Sequence, residues 1–208
     1  METLKIWRTH PLVKLPAKQT EESACFDLSF QGHGHNSYTG YTRSNKEFKR
    51  VMNNQILITP GERVMVPTGL AMDIPKGYSV RIHPRSGLSL KKGLVLANGE
   101  GVVDSDYVQE VMILVYNISD NNIEIHTGDR IAQAEMIKDV DYTIEETSVR
   151  PGVKTTRTGG MGSTGIVSTG DTITITVAQP KLPKVLKNVT QVKEEKQTVR
   201  GRGRPKKG

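Results

Sequence analysis

Short apolar runs that alternate with polar residues constrain this chain more than any other feature. They are Leu4-Lys-Ile-Trp7, Gln55-Ile-Leu-Ile-Thr59, Arg63-Val-Met-Val-Pro67, Tyr78-Ser-Val-Arg-Ile82, Val111-Met-Ile-Leu-Val-Tyr116 and Ile131-Ala-Gln-Ala-Glu-Met-Ile137. Period-2 alternation is the mark of a half-buried strand, because successive side chains point to opposite faces. Turn formers separate the runs: Pro60-Gly61, Pro75-Lys-Gly77, Ser119-Asp-Asn-Asn122 and Thr127-Gly-Asp129. Helical spacing is scarce. Many short strands with regular punctuation predict an all-β sandwich or barrel, built antiparallel.

Two stretches break the rhythm. Residues 31–54 are polar and rich in Gly, Asn and Ser. They are expected to form a long loop or a hairpin insertion. Thr172-Ile-Thr-Ile-Thr-Val177 is a further strand pattern within residues 166–180. Beyond it, residues 181–208 lack periodicity and are expected to be disordered. This leaves residues 1–165 as the folded domain.

Charge divides along the same line. The 208 residues carry a formal net charge of +7. Residues 181–208 hold ten Lys/Arg against Glu194 and Glu195, a net of +8, which leaves the first 180 residues at −1. The basic balance therefore belongs to the tail and says little about the body. The single cysteine, Cys25, excludes an internal disulfide and any Cys-rich zinc module. No apolar run reaches membrane-span length and no secretion signal is visible, so a cytoplasmic protein without a membrane is the expectation.

Five segments mix Gly, Arg, Ser and Asp as a plain strand would not: Ala24-Cys-Phe-Asp-Leu28, Pro84-Arg-Ser-Gly-Leu88, Asn98 to Tyr107, Gly128-Asp-Arg-Ile-Ala-Gln133 and Arg157 to Gly165. Arg85, Ser86 and Gly87 offer a guanidinium fork, a hydroxyl and unobstructed backbone, which are phosphate-binding parts. The run from Gly159 to Gly165 could wrap oxyanions with its N–H groups, but no Lys follows its last Gly as in a Walker loop. Asp104 and Asp106, two apart, would share one side of an extended chain, and one of them could act as a general base toward water. Each segment alone is more often a turn than a site. Their joint occurrence in this order carries the signal.

That order resembles the homotrimeric dUTPases, the deoxyuridine triphosphate nucleotidohydrolases. The resemblance runs from about Leu4 to Gly165, outside residues 31–54. It implies a jelly-roll-like β-barrel, a homotrimer, dUTP as substrate and Mg²⁺ as cofactor. It implies that Asp104 activates the attacking water and that Tyr107 packs on the deoxyribose and excludes a ribose 2′-hydroxyl. Asn98 and the hairpin backbone through Val102 and Val103 would read the uracil edge. Arg85, Ser86, Gly87 and Gln133 would hold the phosphates, and Asp27 would approach the magnesium through water only. Arg157, Met161, Gly162 and Ser163 would close over the nucleotide from a neighbouring subunit. The products would be dUMP and pyrophosphate, which limits dUTP and supplies dUMP.

The chain departs from the family pattern in three places. Met161 stands where an aromatic is usual, and a thioether covers a ring face with less defined geometry, so weaker nucleotide affinity is expected. Arg157 is displaced by one position. Tyr107-Val-Gln-Glu110 lacks the usual Gly. A related deaminase family acts on dCTP, but its Asp-Pro-Gly-Phe-type signature is absent. The other alternative is an inactive scaffold associated with DNA.

His33 and His35 lack a third metal ligand and fit a polar loop better. Cys25, on the same strand face as Asp27, fits a buried small hydrophobe better than a reactive thiol. In the tail, Arg202, Gly203, Arg204 and Pro205 resemble an AT-hook, whose narrow core lies in the minor groove of A·T-rich DNA. A polycation that binds any phosphate backbone fits the same residues.

Overall fold

The computed structural model of the protein describes residues 2–156. The chain divides into two units, residues 1–146 and 147–208. In the second, residues 147–156 are exposed and form neither helix nor strand. The strand expected at residues 172–177 and the basic tail lie outside the described residues.

The first unit is built from twelve strands and one short helix. These are β1 (Lys5–Arg8), β2 (Phe26–Ser29), β3 (Ser37–Tyr41), β4 (Glu47–Val51), β5 (Gln55–Ile58), β6 (Arg63–Asp73), β7 (Tyr78–Pro84), α1 (Ser86–Lys92), β8 (Leu94–Leu96), β9 (Gly101–Val103), β10 (Glu110–Asn117), β11 (Ile123–His126) and β12 (Arg130–Lys138). Alternation explains them. In β5, Ile56 and Ile58 are buried while Gln55 and Leu57 face out. In β10, Val111, Ile113 and Val115 point inward from every second position. Each such side chain withdrawn from water contributes about 1.5–3 kcal/mol.

Three sheets share this core. One has the order β4-β3-β6-β10-β8 with β1 joined to β6, a second pairs β11 with β5, and a third has the order β2-β12-β7-β9. All the pairings are antiparallel. Together they form the jelly-roll-like barrel, with Leu28, Phe30, Val66, Val80 and Ile113 at its centre. Among the described residues no helix is long and apolar enough to cross a membrane.

Residues 31–54 contain the β3–β4 hairpin, which extends the largest sheet beside β6. A half-buried ion pair pins it. Arg50 NH1 and NH2 donate to Glu62 Oε2 and Oε1 at 2.9 and 2.5 Å. The Glu62 Oε2 also accepts the Thr59 N–H at 2.9 Å. The Arg50 guanidinium lies 3.9 Å over the Phe48 ring. Burial pushes the Glu62 carboxyl up, but the Arg50 fork and the Thr59 N–H outweigh it and hold the group below its ordinary value.

The helix α1 is a departure from the sequence expectation, which placed a turn at Arg85-Ser-Gly. It begins where the Arg85 carbonyl accepts from the Leu88 and Ser89 N–H groups, both at 3.0 Å. It ends at Gly93, whose φ of 68° is the left-handed geometry a helix stop requires.

Candidate functional site

The antiparallel neighbours β2, β12 and β7 bring three of the sequence segments together. In register, Gln133 of β12 lies opposite Asp27 of β2 on one side and His83 of β7 on the other. A cleft of about 630 Å³ opens beside them. Its lining includes Asp27, Arg85, Ser86, Gly87, Arg130 and Gln133.

Asp27 organises this cleft. Its Oδ1 sits 3.1 Å from Arg85 Nε and its Oδ2 accepts from Arg130 NH1 at 2.9 Å. The carboxylate is only 10% exposed, whereas the two guanidinium side chains are 28% and 45% exposed. Arg85 NH1 also donates to the Arg130 carbonyl at 2.8 Å. Gln133 Nε2 donates to the Pro84 carbonyl at 3.1 Å, which fixes the amide. Two cations against one anion leave the cleft net positive. A guanidinium has five N–H donors, so both forks keep donors for an anionic ligand.

Arg130 was not singled out from the sequence. It lies in the Gly128-Asp-Arg130 turn, and its partner Asp27 is 103 positions away. Lys91 and Lys92, in the last turn of α1, also line the cleft. Cys25 precedes β2, is half-buried and lines the cleft too. Burial, then the nearby Glu135, push its thiol upward, while Lys18 opposes them and Asp27 adds to the rise. The thiol therefore stays protonated at neutral pH and is a poor nucleophile.

The segment from Asn98 to Tyr107 lies elsewhere. Asn98 is exposed in the turn between β8 and β9. In the β7–β9 ladder Gly101, Val102 and Val103 pair with Ile82, Arg81 and Val80. Val103 is buried and Val102 half exposed. Asp104 follows Val103 and is exposed. The expectation that Asp104 and Asp106 share one side of an extended chain is corrected here. The chain turns at residues 105–106, and the Tyr107 N–H closes on the Asp104 carbonyl at 3.1 Å. A turn aims neighbouring side chains in different directions, and only Asp104 continues the line of β9. Tyr107 is 41% exposed, with its hydroxyl donating to the Glu110 carbonyl at 3.0 Å.

The register sets the spacing. Arg85 follows the Pro84 end of β7, while Asp104 lies past the Val80 pairing at the Ser79 end. The six residue steps from Ser79 to Arg85, at about 3.3 Å each, separate the two ends by roughly 20 Å. Within one chain, Arg85 and Asp104 do not meet. Glu100 holds the intervening hairpin to β7, 3.7 Å from Arg81 NH1 and 3.5 Å from His83 Nδ1.

No cluster of three His, Cys, Asp or Glu is placed to hold a metal ion among the described residues. His33 stacks on His10 with centroids 5.3 Å apart, and His35 pairs with Glu110. Arg157, Met161, Gly162, Ser163 and the tail residues Arg202, Gly203, Arg204 and Pro205 lie outside the described residues.

The protein is an all-β barrel of the jelly-roll kind, with a guanidinium-lined cleft at one end of the inner strand β7. The dUTPase family model matches residues 50–170, and the chain belongs to that family. It is 45% identical over 115 residues to the deoxyuridine 5′-triphosphate nucleotidohydrolase of Brucella melitensis, across 54% of this chain and 71% of that protein. The fold is similar to that of a variant dUTPase of Staphylococcus bacteriophage 80alpha with dUpNHpp. The TM-score is 0.63 at 19% identity, covering 80% of this chain and all of the other. It is also similar to a mutant dUTPase of phage phi11 of S. aureus, described with a structural Mg(II) ion. There the TM-score is 0.55 at 18% identity, covering 71% of this chain and 98% of the other.

Proposed function

We propose that the protein hydrolyses dUTP to dUMP and pyrophosphate at sites shared between the subunits of a homotrimer. The separation of the Arg85 and Asp104 ends of β7 carries this reading. One α-phosphorus cannot touch both groups of one chain, so a phosphate cleft from one subunit must meet the Asp104 hairpin of another. An outward apolar hollow of about 380 Å³ on the largest sheet, lined by Tyr41, Met65, Ala97 and Leu114 among others, supplies a surface for such association.

Arg85, with the N–H groups at Ser86 and Gly87 and the Gln133 amide, holds the triphosphate and stabilises charge that develops at phosphorus. Asp104 takes the proton of the attacking water. Tyr107 packs on the deoxyribose. Asn98 and the backbone at Val102 and Val103 read the uracil edge. Arg157, Met161, Gly162 and Ser163 close over the nucleotide and exclude water, with Met161 covering the base less firmly than an aromatic ring.

The donor set fits a magnesium ion carried by the substrate. The Asp27 carboxylate is engaged by two guanidiniums at 3.1 and 2.9 Å, so it would approach such an ion through water. The ion would supply charge neutralisation at the triphosphate. The tail residues Arg202, Gly203, Arg204 and Pro205 add a contact to A·T-rich DNA, which would retain the enzyme at DNA within the cytoplasm, or the host cytoplasm if the source is a virus.

Pyrophosphate release from dUTP, with dCTP as control, tests the assignment. Asp104→Asn is expected to slow release by about 10²- to 10⁴-fold, the usual worth of a general base. Equal release by wild type and variant would overturn the role of Asp104. Uracil nucleotide formed from dCTP would overturn the reaction.

A further inference from the structure

Glu110 opens β10, and it ties together more of the molecule than a strand end usually does. Opposite it, β6 leaves the ladder: Glu110 pairs with Ala71 and Met112 with Pro67, so Thr68, Gly69 and Leu70 bulge out. Gly69 has a φ of +68°, which this bulge requires of it. Its freed N–H donates to Glu110 Oε1 at 2.7 Å. The His35 Nε2 lies 3.0 Å from Oε2 and 3.3 Å from Oε1 of the same carboxylate. The Glu110 backbone carbonyl, in turn, accepts the Tyr107 hydroxyl at 3.0 Å. Val108, between them, is 68% exposed. Tyr107 is therefore anchored at two points, its N–H on Asp104 and its hydroxyl on Glu110.

We propose that His35 is a positioning residue for sugar selection: by clamping Glu110 it fixes the Tyr107 hydroxyl and so the plane on which the sugar lies. The proposal rests on the reading of Tyr107 as the deoxyribose platform. His35 lies upstream of the residues that the family model spans, in the segment leading into the β3–β4 hairpin. With His35 removed, Glu110 keeps only the Gly69 N–H, and its outer oxygen turns to water. The strand start then loosens, and the tyrosine tether with it. A platform that touches sugar equally before and during the reaction affects KM rather than kcat. A looser platform also admits a 2′-hydroxyl more easily.

Steady-state hydrolysis of dUTP and UTP by the full chain tests this. His35→Ala should raise KM for dUTP and lower the preference for dUTP over UTP, each by about 2- to 10-fold, the worth of one net hydrogen bond. The kcat for dUTP should stay within about 2-fold. His35→Gln, which keeps a donor, should restore most of the loss. Tyr107→Phe, which removes only the tether, should mimic His35→Ala, and the double variant should be no worse than the worse single one. An unchanged KM and sugar preference in His35→Ala, or effects that multiply in the double variant, would overturn the proposal while dUTP hydrolysis by the wild type stands. A wild type that releases no pyrophosphate from dUTP would overturn the functional reading and this proposal together.

Discussion

The two ends of β7 differ in how much of their surroundings one chain supplies. At the Pro84 end, Arg85, Arg130 and Asp27 hold one another through contacts of 2.8 to 3.1 Å, and the Gln133 amide is fixed on the Pro84 carbonyl. Those cations are aimed before any ligand arrives, so little ordering remains to be done on binding. At the Ser79 end, Asp104 and Tyr107 face solvent. A carboxylate in water acts in a high dielectric, where its pull on a neighbouring charge is weak. One end is finished by its own chain. The other acquires its environment only when something covers it.

The largest test of that difference mixes two inactive proteins. Arg85→Ala and Asp104→Asn, each alone, should lose nearly all turnover. Mixed in equal amounts under subunit exchange, they should recover about a quarter of wild-type activity, the statistical share of sites with one intact half from each parent. No recovery would mean that both ends serve one site in one chain. A smaller change sharpens the view of the finished end. Asp27→Asn keeps the shape but removes the charge that aims both guanidiniums. KM for dUTP should rise about 10-fold, with a lesser effect on kcat. An unchanged KM would show that the forks hold their aim without Asp27.

The smallest effect on activity is expected away from both ends. Glu62→Gln breaks the ion pair that pins the β3–β4 hairpin. It should cost about 2 kcal/mol of stability in urea unfolding and leave kcat/KM unchanged. The folded carboxyl is held below its ordinary value. Its stabilising contribution is therefore present above the unfolded-state value and is lost as pH falls through the folded one. The stability gap between wild type and Glu62→Gln should accordingly close as pH falls below the ordinary glutamate value of about 4.3. A gap independent of pH would assign the loss to packing rather than charge.

Alternation made half of the strands legible: β1, β5, β7, β10, β12 and the start of β6 fall where the apolar runs lie. The full length of β6 was hidden. The alternating run ends at Pro67, but the strand passes through it, and the Pro67 carbonyl accepts the Gln31 N–H at 2.9 Å. Helix α1 was hidden too. Seven residues with a glycine inside and no side-chain cap carry no periodic signal. Arg85, Ser86, Gly87, Gln133 and Asp27 could be grouped because short motifs carry them. Arg130 could not be given a role, since nothing in a Gly-Asp-Arg turn announces a partner across the sheet. Nor could the distance between Arg85 and Asp104, which depends on ladder register and not on residue type.

The bulge at Gly69 also makes β6 one strand in sequence but two in pairing. Arg63 to Pro67 is laced to β10, and at its start to β3, while Leu70 to Asp73 is laced to β1 and keeps only the Ala71–Glu110 pairing with β10. Backbone opening can stop at that seam. The first strand and the last turn of β6 form a unit able to breathe while the central ladder stays closed, at a free-energy cost below that of unfolding the whole.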